Sequence, residues 1–208
     1  MRTLHVPTIN VRGRRFATQV QCSLLALVLI NVCASRAMAQ DSHEHKTAPK
    51  QNAIALGLQD GLIKVVRDAT ARYADVNVAK AEGYALQFGC VSGSDEGAMG
   101  LHYVNGNLVN AGVLDPTRPQ IIIYEALPDG TLEMTGADFL VIKSQWDASH
   151  DGPPEMMGQF FHLFDAPNRF GLPAFYTLHV WAWKDNPKGA FTNWHPNVSC
   201  SSFNPKKP

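Results

Sequence analysis

Three histidines sit inside apolar, strand-like stretches: His102 in GLHY, His162 in QFFHLF and His179 in TLHVW. Imidazole nitrogen is a good ligand for borderline transition metals, and Glu125, at the end of QIIIYE, offers a carboxylate beside them. Brought together, such groups suit zinc, copper or non-haem iron. The same residues support two kinds of function. In a non-catalytic binding protein they hold a metal, or they orient a small apolar ligand against the aromatic walls of Tyr103 and Trp181. In a metal-dependent enzyme the ion activates water or oxygen and Glu125 serves as general base. The plain alternative is structural: an imidazole in an apolar strand stays neutral and bonds a carbonyl or carboxylate. The chain would then act as an envelope interaction protein.

Other chemistries lack their signatures. No G-x-S-x-G, H-E-x-x-H, P-loop or G-x-G-x-x-G occurs, and the core lacks the H-x-H and following glutamate of metal-binding cupins. The one H-x-H, His43 to His45, falls in a polar stretch and offers at most an exposed metal pair. Asn197 to Ser199 matches the glycosylation triplet, a short pattern that recurs by chance.

The elements that must position these groups follow from periodicity. Phe175 to Trp183 is the main predicted strand, with Phe175, Thr177, His179, Trp181 and Trp183 on one face. Tyr176, Leu178, Val180 and Ala182 form an ordinary core face on the other side. Ala53 to Glu82 shows helical spacing through Leu58, Leu62, Val65, Val66, Ala69 and Tyr73, with a break near Asp75 and a stop at Gly83. The chain turns β-rich after Cys90. A strand is predicted over Ala98–Val104, then a loop with one helical turn to Gln120. Gln120–Glu125 and Leu132–Ile142 form a hairpin about Pro128-Asp129-Gly130. Met156–Phe164 reads as a short helix or strand, and Asp185–Pro208 as coil. Helices followed by hairpin-linked strands give an α+β class: N-terminal helices packed on a small curved antiparallel β-sheet.

The first residues read as an address. A basic stretch (Arg2, Arg12, Arg14, Arg15), an apolar run from Leu24 to Val32 and Ala37-Met38-Ala39 make residues 1–39 a signal peptide. Residues 40–52 then form a flexible leader and residues 53–208 a single domain. This places the mature protein in the periplasm or outside the cell, with no transmembrane segment. Removing residues 1–39 leaves 13 basic and 18 acidic side chains, a net charge of −5, which argues against nucleic acid as a partner. Cys90 and Cys200 remain as one pair, and a disulfide bond is expected in an oxidising compartment.

GAMGLHYVN, LDPTRP, IIIYE and LPAFYTLHVWAWKDNPKGAFTNWHPNVSC together resemble a family of exported bacterial proteins of unassigned function. The similarity extends from about Tyr73 to Cys200. It implies export and one compact domain, and it transfers no catalytic residues.

Overall fold

The apolar stripe of the N-terminal segment forms a helix, α1 (Ala48–Thr70), in the computed structural model, which describes residues 48–93 and 95–205. The predicted signal peptide and the His43–His45 pair lie outside the described residues. Helix α1 begins at Ala48, so the last part of the predicted leader is helical. Leu62 and Val66, one turn apart, are fully buried and fix the packing face of α1. A 3-10 turn (Ala71–Ala74) leads to α2 (Val76–Ala81), which starts where the Asp75 carboxylate accepts the Asn77 amide at 2.9 Å.

The sheet is built from β1 (Tyr84–Ser92), β2 (Ala98–Asn105), β3 (Ile121–Ala126), β4 (Leu132–Ile142), β7 (His162–Phe164) and β8 (Phe175–Val180). Their spatial order is β1-β2-β3-β4-β8-β7, with every ladder antiparallel. Two short strands, β5 (Glu155–Met156) and β6 (Gln159–Phe160), form a separate hairpin. Short helices α3 (Gly106–Ala111) and α4 (Lys143–Trp146) follow β2 and β4. The class is therefore α+β, as expected.

Two differences from the sequence reading matter. Tyr84 to Ser92 is a strand, so the chain turns to β structure before Cys90 and not after it. Met156–Phe164 resolves into parts of three short strands. The missed strand is irregular: its pairing slips between Gln87 and Cys90, where Phe88 and Gly89 both have left-handed backbone conformations.

The sheet has two unlike faces. On one, Tyr103, Ile122, Tyr124, Phe139, Leu178 and Val180 pack with Leu62, Val66 and Tyr73 into the main core. On the other, Ile121, Ile123, Leu140 and Phe175 form a smaller apolar cluster with Phe164, Phe170 and Leu172. Strand β8 divides between them as its two-residue repeat predicts. Trp183 breaks that pattern, because regular strand ends at Val180. Its indole donates to Thr70 Oγ1 on α1 at 3.0 Å, away from His179.

The C-terminal coil is fastened by a backbone bridge between His195 and Ala98, by the disulfide and by Glu125. Cys90 and Cys200 form the disulfide, with Cα atoms 5.6 Å apart. Glu125 receives Lys184 Nζ at 2.7 Å and the Ser199 amide at 2.8 Å.

Candidate metal centre

His102 on β2, Asp138 on β4 and His179 on β8 project from the second face of the sheet, opposite the helices. Register explains how they share it: Ile121 pairs with Asp138, Asp138 with His179, and His102 with Ile123. Strands β2 and β8 are three places apart, which in a flat sheet puts them about 14 Å apart. The two imidazole centroids are nevertheless 5.7 Å apart, edge to face. The sheet must curl so that this face is concave. The slip between Ile123 and Tyr124 in the β3–β4 ladder supplies one bend. Gly100 supplies another: its φ is +90°, and a Cβ there would lie 2.6 Å from the Tyr124 carbonyl oxygen.

The three residues are 5 %, 3 % and 2 % exposed in the order His102, Asp138, His179, and each offers a donor atom within 4.8 Å of the others. They form a group that could hold a metal ion. Two of the three are held by neighbours. His102 Nδ1 donates to the Gly100 carbonyl at 3.2 Å, which leaves Nε2 as the lone-pair nitrogen. Thr177 Oγ1 donates to Asp138 Oδ1 at 2.5 Å. His179 differs: neither ring nitrogen has a hydrogen-bond partner. Its Nδ1 is 3.6 Å from Asp138 Oδ2, too far for a hydrogen bond.

Burial sets the protonation states. It pushes His179 down to about 3, with the charge of His162 adding to the effect. Burial and the neighbouring His179 push His102 down to about 4. Burial also raises Asp138 to about 6, against the opposing hydrogen bond from Thr177. At neutral pH the site therefore presents two neutral imidazoles and a carboxylate, the protonation state in which all three groups bind metals. Metal–donor distances of 2.0–2.2 Å put donors about 3.4 Å apart around a tetrahedral ion, so loading would draw the three groups inward.

The remaining predicted site residues lie elsewhere. Glu125 is past the β3 irregularity and is held by Lys184 and Ser199, so it does not join the group. His162 pairs across from Thr177 at the edge of the sheet and is exposed. Tyr103 faces the main core, in edge contact with Tyr124 at 5.1 Å. Trp181 is buried between His179 and His195, its ring 5.9 Å from the first and 4.8 Å from the second, and its indole donates to the Thr192 carbonyl at 2.6 Å. It does not line the cavity above the three residues. That cavity is walled instead by residues including Phe164, Phe170, Phe175 and Leu172.

Sequence reading missed Asp138. A signal was present, since a carboxylate within the otherwise apolar run ADFLVI is costly to bury without a purpose. No family model matches the chain, and neither a curated protein nor a solved structure matches it.

Proposed function

We propose that this chain is a metal-binding protein that holds one divalent transition metal between His102, Asp138 and His179. The observation that carries the reading is His179, an imidazole buried to 2 % with both ring nitrogens unpartnered. A structural histidine in a strand would bond a carbonyl or carboxylate. Here a ring nitrogen lies within 4.8 Å of a second imidazole nitrogen and a carboxylate oxygen.

Space also separates the candidate ligands. The cavity above the three residues has a volume of about 30 Å³. Pockets for drug-sized organic ligands run to roughly 300–1,000 Å³, whereas this one has room for an ion and one or two water-sized groups. Two imidazoles and a carboxylate, with no thiolate, suit zinc or ferrous iron better than cuprous ion. The hydrolytic reading lacks its base, because Glu125 is committed to Lys184. A binding role is thus the better supported one. The Cys90–Cys200 disulfide supports maturation in an oxidising compartment, consistent with an exported protein.

Calorimetric titration of zinc and ferrous ions into chelator-treated protein tests the proposal. Binding of one ion per chain, lost in His179→Ala, is expected. Absence of binding to a folded wild-type protein would remove the metal.

A further inference from the structure

Resting on that metal reading, we propose that the cleft above the centre admits a small uncharged diatomic molecule of the dioxygen class to the unfilled side of a bound ferrous ion. Three protein donors leave coordination positions open, as in two-histidine, one-carboxylate iron sites. Here the open side can only be the cleft, since the sheet lies beneath the three side chains.

The walls decide what can enter. Among the described residues, Thr177 is the sole polar side chain lining the cleft apart from His102, Asp138 and His179, and its hydroxyl is committed to Asp138. The rest is hydrocarbon, aromatic ring or thioether: Met99, Leu140, Leu172, Phe164 and Phe170 among them. A divalent ion with one carboxylate and two neutral imidazoles carries a net charge of +1, which by itself would favour a small anion. Such an anion would find no free donor on the walls for its remaining lone pairs, and desolvating it is costly. An uncharged diatomic needs no such donor, and a cavity of about 30 Å³ suits it.

The mouth is shaped to the same end. Phe88 lies on the irregular part of β1 with φ +62°, a conformation that non-glycine residues seldom adopt. It brings its ring over the opening, 5.4 Å from Phe170 and edge to face. Phe170 is in turn seated by Asn168, whose Oδ1 accepts the Phe170 and Leu172 amides at 3.2 and 3.3 Å. The opening is thus an aromatic slot that disfavours charge. The proposal is for binding alone, with the diatomic taking the place of any coordinated water; no electron transfer is included.

Nitric oxide is the probe. Wild-type protein is loaded anaerobically with ferrous ion, its iron content is measured, and nitric oxide or azide is added. The expected result is a half-integer-spin ferrous-nitrosyl EPR signal approaching one per bound iron, with no spectral response to azide. Phe170→Trp, which fills the slot, should lower the nitrosyl association rate at least tenfold with iron content unchanged. Iron that binds yet gives no nitrosyl, or that responds to azide alone, overturns the inference and leaves the metal reading intact. Zinc binding with refusal of ferrous ion does the same. A wild-type chain that binds neither metal sinks both.

Discussion

An imidazole buried without a hydrogen bond has lost its hydration and gained nothing in exchange, and His179 is in that position. A metal ion held by the group would resolve this cost, which makes the site testable one residue at a time. Thr177→Val removes the hydroxyl that orients Asp138 and keeps the side-chain shape. Losses at such supporting positions are typically 10–100-fold in metal affinity, and titration calorimetry on the variant should show about that fall. The metal-free protein also has a predicted pH profile. Between about pH 6 and pH 4 the unfolded chain protonates both imidazoles, which the fold keeps neutral, while the fold keeps a proton on Asp138 that the unfolded chain releases. On balance the unfolded chain takes up more protons than the folded one, so stability falls as the pH drops below the ordinary imidazole range. Urea unfolding across that range checks the slope, and a flat profile would contradict the buried neutral pair. The sequence points to His102 and His179 because histidines are conspicuous in apolar strands. It conceals Asp138, whose partnership with them depends on ladder register and not on any local pattern.

The strands bring these residues together only because the sheet curls, and Gly100 is where that dependence is sharpest. Alanine at this position would adopt a strained positive φ and drive its Cβ into the Tyr124 carbonyl. Gly100→Ala should cost about 2 kcal/mol or more, read by urea unfolding. It should also weaken metal binding, because the Gly100 carbonyl fixes the His102 ring. Alternation in β8 was legible: Phe175, Thr177 and His179 face the site, while Tyr176, Leu178 and Val180 enter the core. The repeat fails at Trp183 because the strand has ended and the chain has turned toward α1. Strand β1 was hidden for a related reason. It is an edge strand whose irregularity at Phe88 and Gly89 interrupts alternation, so periodicity had little to detect.

At the scale of the molecule, helices cover one face of the sheet, where Phe191 and Phe203 of the C-terminal coil also pack, while the loop carrying Phe170 and Leu172 packs on the other. The disulfide joins that coil to β1 across 110 residues, next to the irregularity that carries Phe88. Removing it with Cys90→Ala and Cys200→Ser should cost about 2–5 kcal/mol in urea unfolding. Metal affinity should change far less, since neither cysteine belongs to the three-residue group. Among the described residues no helix is long and apolar enough to cross a membrane. The pairing of Cys90 with Cys200 could be read from cysteine arithmetic once residues 1–39 were set aside. The ties of Glu125 to Lys184 and Ser199 could not, because they depend on where an irregular coil comes to rest. The most direct measurement is an anomalous-difference map at the metal absorption edge, from crystals of wild-type protein soaked in zinc and, anaerobically, in ferrous ion. One strong peak bounded by His102, Asp138 and His179 is expected with at least one of the two metals. A peak elsewhere with this site empty, or well-ordered side chains and no peak with either metal, would contradict the metal reading.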